Sequence, residues 1–249
     1  MNPAAHGDPA IRITQVSKAF AAQTVLDRVD LQVARGETLV VLGRSGTGKS
    51  VLLRLLIGLQ RPDSGSIQVL GQEITELSAT ALYEVRKKIG FVFQNSALYD
   101  SLTVAENVAF PLKHHGHLTP GQRRERAVEL LSRVGMAEAA AKMPTEISGG
   151  MKKRVGLARA LALEPELMLY DEPTAGLDPI TSGEINELIL KLQKDHAMSS
   201  IVVTHEIHSA EAIADRVALL NEGRIVFDGP FQELKQSRDA FVSLFVGNG

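Results

Sequence analysis

The chain has 249 residues, 44% apolar and 22% charged, with 27 basic and 29 acidic side chains and no cysteine. That length supports a substantial core, in one large domain or two small ones. A net charge of −2 gives no support for a nucleic-acid or anionic-membrane partner, and the lack of cysteine excludes disulfides, thiolate chemistry and cysteine-bound zinc.

The opening "MNPAAHGDPAIRITQ" has neither an apolar core nor a basic leader, so it does not read as a signal peptide. "DRVDLQVARGE" follows, and its alternating Val29, Leu31 and Val33 suggest an antiparallel strand. "ETLVVLG" (37–43), "KIGFVFQN" (88–95), "ELMLYDEP" (166–173) and "SSIVVTHE" (199–206) are short apolar runs without alternation. Such runs fit strands buried on both faces, as in a parallel sheet. "KSVLLRLLIGL" and "SGEINELILKLQKDH" are helical patterns between them, which argues for an α/β fold with right-handed crossovers. No stretch reaches the ~18 apolar residues of a membrane helix.

From Ala97 to Leu163 the pattern turns helical, through "TVAENVAFPL", "GQRRERAVELLSRVG" and "GGMKKRVGLARALALE". "RVALLNEGRIVFDG" then reads as an antiparallel hairpin around Asn-Glu-Gly. In "DAFVSLFVGNG", Phe241, Leu244 and Phe245 have the spacing of a terminal helix packed on the core. The expected organisation is one α/β domain. Residues 1–95 and 164–235 form a mixed-sheet core with an antiparallel portion, 96–163 a helical portion and 236–249 a terminal helix.

"GRSGTGKS" (43–50) matches G-x-x-x-x-G-K-[ST] between a buried strand and an apolar helix. Gly43, Arg44, Ser45, Gly46, Thr47 and Gly48 would turn backbone N–H groups around a phosphate, in front of a helix N-terminus. Lys49 would reach the β- and γ-phosphates, and Ser50 would bind Mg²⁺. Asp171 ends a buried strand as a Mg²⁺-side carboxylate, and Glu172 beside it can serve as general base toward water. His205 ends another strand, where it can hold a γ-phosphate or serve structure alone. Gln94 ends a third, where its amide can bind Mg²⁺ or water, or cap the strand. "HHGH" (114–117) lacks metal-ligand spacing and reads as a solvated loop.

"TEISGGMKKR" (145–154) places Lys152, Lys153 and Arg154 in the first turns of a helix, where cations are mildly unfavourable. A second anion site would explain them. Ser148 can cap the helix, and Gly149 and Gly150 allow close approach of a ligand. Since one phosphate cradle is already present, this helix is expected to serve the nucleotide of a second copy, in a two-fold pair. The plainer alternative is a capped helix whose lysines reach into water.

These motifs, in this order, resemble the ATP-binding subunits of ABC transporters along nearly the whole chain. "GRSGTGKS" is similar to Walker A, "FVFQ" to the Q-loop, "ISGGMKKR" to the signature, "LMLYDE" to Walker B with its glutamate, "AGLD" (175–178) to the D-loop, and His205 to the switch histidine. Phe20 resembles the aromatic that stacks on adenine, and Asp178 the residue linking the two sites. The resemblance implies a P-loop NTPase core of ABC type. It implies ATP as ligand, with Mg²⁺ arranged by Ser50, Gln94 and Asp171, and catalysis by Glu172, His205 and Lys49. It also implies a nucleotide-sandwich homodimer, held by an integral permease at the cytoplasmic face of the inner membrane, with residues 95–110 lining the permease groove. Met151, where the usual signature has Gln, resembles the Mla/Mce-associated phospholipid transporters. That subfamily implies lipid cargo, an MlaE-like permease and an Mce-domain protein; the alternatives are another cargo, such as an amino acid, peptide or drug, and a soluble ABC ATPase outside transport.

Overall fold

The structure is a computed structural model that describes residues 8–115 and 118–247. In chain order come β1 (Ile11–Phe20), β2 (Gln23–Val33), β3 (Thr38–Leu42), α1 (Lys49–Leu56), β4 (Ser64–Val69), β5 (Gln72–Glu73), α2 (Ala79–Lys87) and β6 (Ile89–Val92). Three helices follow: α3 (Val104–His115), α4 (Pro120–Arg133) and α5 (Gly149–Ala160). Then come β7 (Leu167–Asp171), α6 (Pro179–His196), β8 (Ser199–Thr204), α7 (Ile207–Ile213), β9 (Arg216–Asn221), β10 (Arg224–Gly229), α8 (Phe231–Lys235) and α9 (Ala240–Gly247). Most of the opening segment expected to lack a signal peptide, and the last two positions of "HHGH", lie outside the described residues.

Two sheets form. One is antiparallel, in the order β2-β1-β4-β5; the other runs β10-β9-β3-β8-β7-β6 and is parallel except at β10. The expected hairpin of β9 and β10 is present, but β9 also pairs parallel with β3, Val40 opposite Val217. Its four central residues, Val217 to Leu220, are buried, so it belongs to the parallel core.

The parallel strands show no alternation in sequence because each face has its own core. Leu39, Val41, Leu169, Ile201 and Val203 pack with α1 and the antiparallel sheet. Val40, Leu42, Met168, Tyr170 and Val202 pack with the helices on the other side. Burying a side chain of this size stabilises by about 1.5–3 kcal/mol, so either face needs the full apolar run.

Strand β1 was not foreseen as a strand. Its register against β2 shifts between Ile13 and Val16, and Gln15 there has φ 50°. The bulge breaks the period of two by which a strand is recognised. Gly65 sits opposite at φ 87°, and a Cβ there would overlap the Thr14 and Gln15 carbonyls. Gly65→Ala is expected to destabilise by about 1–3 kcal/mol or more, read as a lowered midpoint in urea at unchanged m-value.

The helical layer is fixed by local polar bonds as well as by packing. Thr119 caps α4 with Gln122 in a reciprocal box, and Pro120 opens the helix. Asn107 is fully buried. Its amide N–H groups donate to the carbonyls of Tyr99, Leu102 and Thr103, while its oxygen accepts from the Tyr99 N–H. One side chain thus shapes the loop that leads from β6 into α3.

Candidate functional site

β3 ends against a loop, Gly43 to Gly48, that turns into α1. Gly46 and Gly48 have φ 83° and 104°, in the left-handed region that favours glycine. A Cβ on Gly43 would lie 2.6 Å from the Leu220 carbonyl and 2.8 Å from the Thr47 hydroxyl, so a side chain there would close the turn. Arg44 lies over the Phe241 ring, 5.7 Å from its centroid, so α9 reaches this loop. Ser45 and Thr47 lie on the same turn, and the Thr47 hydroxyl donates to the Arg44 carbonyl at 2.9 Å.

Lys49 is buried at 5% exposure. Its ammonium donates to the Gly43 carbonyl at 2.8 Å and the Arg44 carbonyl at 3.1 Å, and lies 3.3 Å from Glu172 Oε1. Ser50 Oγ donates to Asp171 Oδ1 at 2.8 Å. Burial pushes the Asp171 carboxyl above its ordinary range, against the Ser50 hydrogen bond; the neighbouring Glu172 charge raises it further. A divalent cation beside that carboxylate would reverse the penalty. A hydroxyl and a carboxylate are the hard oxygen donors Mg²⁺ takes, so these residues fit the ion.

Glu172 follows β7 in the left-handed region, at φ 48°. Its Oε2 lies 2.9 Å from His205 Nδ1 and accepts from the His205 backbone N–H at 3.3 Å. The Glu172 carboxylate therefore bridges Lys49 and His205. His205 keeps 48% of its side chain exposed, which leaves one edge of the ring open.

The structure thus brings Lys49, Ser50, Asp171, Glu172 and His205 together at the carboxyl edge of the parallel sheet. Four other expectations fall further out. The Gln94 side chain is exposed, while the Gln94 backbone carbonyl accepts from Lys153. Phe20 is 43% exposed at the end of β1, with the Lys18 ammonium 5.4 Å from its ring centroid. Asp178 caps α6, accepting from the N–H groups of Ile180 and Thr181. Ser148 caps α5, accepting from the Met151 N–H at 3.3 Å.

Two details of α5 differ from expectation. A Cβ on Gly150 would meet Thr181 Cγ2 at 2.6 Å, so packing against α6 already demands this glycine, whereas Gly149 has ordinary room. The cations are used internally as well. Arg154 pairs with Glu184 at 2.8 Å, and Lys153 is 5% exposed rather than reaching into water. The Lys153 ammonium donates to the carbonyls of Gln94 and Glu172. Burial lowers its pKa, and the charges of Glu172, Glu206 and Asp171 pull it back up. Sequence reading assigned Lys153 to a phosphate or to water and did not mark Asn107, because a burial site is not written in residue type.

Among the described residues no group of three or more His, Asp or Glu is placed to hold a metal. His114 and His115 end α3 and stack on Phe110 and Tyr83, with centroids 4.5 and 5.0 Å apart. No helix among the described residues is long and apolar enough to cross a membrane.

Known proteins resemble this chain in sequence and fold. The ABC transporter family profile matches residues 26–175. The chain is 46% identical over 91% of its length to the methionine import ATP-binding protein MetN of Rhizobium johnstonii, and spans 62% of that protein. It is 44% identical over 96% of its length to MetN 2 of Rhodococcus jostii, spanning 73% of it. It is 40% identical over 95% of its length to a probable ribonucleotide transport ATP-binding protein, mkl, of Mycobacterium leprae, spanning 68% of it. Among solved structures, the dimeric ATP-binding cassette MJ0796 in a post-hydrolysis state with ADP and Pi superposes with TM-score 0.82 at 33% identity, covering 89% of this chain and 98% of that one. CbiO1 of Clostridium perfringens, part of the transporter complex cbiONQ, gives TM-score 0.85 at 29% identity, covering 96% and 95%. With the phosphate cradle, the buried lysine and the paired acids at one sheet edge, the chain belongs to the ABC transporter family, as an ATPase cassette that takes ATP with Mg²⁺.

Proposed function

We propose that this cassette hydrolyses ATP to drive a membrane importer for a small polar solute of amino-acid type, working as a pair of copies around two nucleotides. The observation that carries the reading is the Glu172 carboxylate, held between Lys49 and His205 beside the Ser50–Asp171 pair. Mg²⁺, when bound, neutralises phosphate charge beside Ser50 and Asp171.

The chain's own residues supply the rest. Lys49 exchanges the neutral Gly43 and Arg44 carbonyls for phosphate oxygens, which are stronger acceptors because they are charged, and leaves Glu172 for the polyphosphate, whose charge exceeds that of one carboxylate. Glu172 Oε1 is then free to accept a proton from the attacking water, while Oε2 stays on His205. With Nδ1 turned to Glu172 Oε2, Nε2 is the ring nitrogen left to meet the nucleotide. Ile180 is 79% exposed beside Asp178. So large an exposed apolar side chain supports the paired reading, in which a second copy would cover it.

The cargo expectation shifts from lipid to amino acid. Two of the relatives compared are named for methionine import. Met151, which suggested the lipid subfamily, is half-buried and packs against the core of the helical layer. Local packing therefore accounts for its side chain. Met151→Gln is expected to keep ATP hydrolysis while destabilising by about 1 kcal/mol, seen as a lower melting temperature. Permease and solute-binding partners of an amino-acid system replace the MlaE-like and Mce-domain partners in this reading. The permease would dock in a groove of about 620 Å³ between α3 and α4, whose wall includes Leu102, Ala105, Phe110 and Val128. Reconstitution with the co-purified permease tests the cargo: hydrolysis stimulated by an amino acid and its binding protein is expected. Stimulation by phospholipid alone would return the assignment to lipid.

A further inference from the structure

The ammonium of Lys153 joins two strand ends. β6 and β7 are parallel neighbours, with Val92 opposite Tyr170 as their last matched pair. Two residues farther along each chain are Gln94 and Glu172, where the strands have ended and the carbonyls have lost their ladder partners. Lys153 donates to both carbonyls, at 3.2 Å to that of Glu172. It reaches them because helix side chains lean toward the N-terminus, and α5 points its N-terminal half at this sheet edge.

The same helix holds the following residues as well. Gly156 lets Ser96 approach, its would-be Cβ lying 3.4 Å from Ser96 Cβ. Arg159, half-buried, donates to the Ser96 carbonyl at 2.6 Å and the Ala97 carbonyl at 2.7 Å. Ser96 and Ala97 both have left-handed backbones, at φ 58° and 45°, which the chain would not choose alone. Lys153, Gly156 and Arg159 are three apart and share one face of α5. The segment 94–97 is thus fastened to the helical layer at three points. Only Lys153 also reaches the residue assigned as base.

We propose that Lys153 is a positioning residue, whose ammonium ties α5 at once to the Gln94 carbonyl and the Glu172 carbonyl and so couples the placement of the helical layer to the aim of the Glu172 carboxylate. Glu172 is held in the left-handed region by its surroundings, and Lys153 is one of the groups that holds it. Removing the ammonium leaves the Glu172 carbonyl with the Ala175 N–H alone, so the peptide between Glu172 and Pro173 can relax and shift the carboxylate, while the Glu172 N–H stays on the Val203 carbonyl. The ammonium is taken up by two backbone carbonyls, so binding of ATP is left to the cradle. The inference rests on the reading of Glu172 as general base.

The test compares Lys153→Met, Lys153→Gln and Lys153→Arg in the full chain. It measures steady-state ATP hydrolysis per folded molecule, nucleotide binding by a fluorescent ATP analogue, and thermal melting. Lys153→Met is expected to lower kcat about 10- to 100-fold, the scale of a small misplacement of a reacting group, with KM changed less than about threefold. Lys153→Arg, which keeps charge and donors, is expected to recover most of that loss. Lys153→Gln takes the place of Lys153→Met if the latter does not fold. A kcat within about twofold of wild type in the Met or Gln variant, at equal folded fraction, would overturn the proposal. So would an Arg variant no better than Met, since packing alone would then explain the residue. Wild-type turnover with an unaffected Lys153 variant removes this inference alone; a wild-type chain without turnover removes the ATPase reading and the inference with it.

Discussion

Glu172→Gln is expected to lower steady-state ATP hydrolysis by about 10²–10⁴-fold, the usual contribution of a positioned general base, with ATP binding retained. The neutral amide keeps the size of the side chain and can still contact His205, but it cannot take a proton from water. It also removes the charge 3.3 Å from the Lys49 ammonium. Lys49 then has less reason to stay on Glu172, so ATP affinity is expected to be equal or higher. Phosphate release measured alongside equilibrium nucleotide binding separates the two effects. Wild-type turnover in this variant would remove Glu172 from the role of base.

Lys49→Ala is expected to have the opposite signature, losing both binding and turnover. Deleting one charged donor aimed at a reacting group lowers turnover by about 10²–10³-fold. Here the deletion also strips the buried Glu172 carboxylate of its cationic partner, leaving His205. Nucleotide titration of the variant reads the loss of binding and steady-state hydrolysis the loss of turnover. Unchanged affinity for ATP would show that Lys49 is held by Gly43, Arg44 and Glu172 alone.

The site was more legible in the sequence than the fold around it. Lys49, Ser50, Asp171, Glu172 and His205 each follow a short apolar run, and parallel strands buried on both faces bring their ends to one edge by necessity. The antiparallel sheet was half visible: β2 alternates, while β1 hides behind the bulge at Gln15 and β5 has only two residues. β9 reads as hairpin material because its turn to β10 is local, whereas its pairing with β3 joins Val217 to the distant Val40.

The cations of α5 show the limit most clearly. Their sequence position suggested a field aimed at phosphate. The structure turns Lys153 inward onto carbonyls and Arg154 sideways onto Glu184. Position along a helix does not reveal which neighbours end beside it. Ser148 and Gly149 remain at the helix start, where a second copy's nucleotide can meet them.

The mass of the Glu172→Gln chain in solution, by sedimentation or light scattering with and without MgATP, bears most directly on the paired ATP site. Slow hydrolysis should let the closed pair accumulate, so the mass is expected to double with ATP and to stay at one chain with ADP. Ser148→Arg in the same background, which blocks the start of α5, should abolish the doubling while leaving ATP bound to the cradle. A chain that binds ATP tightly yet remains single at every concentration, or doubles regardless of nucleotide, would contradict the paired site.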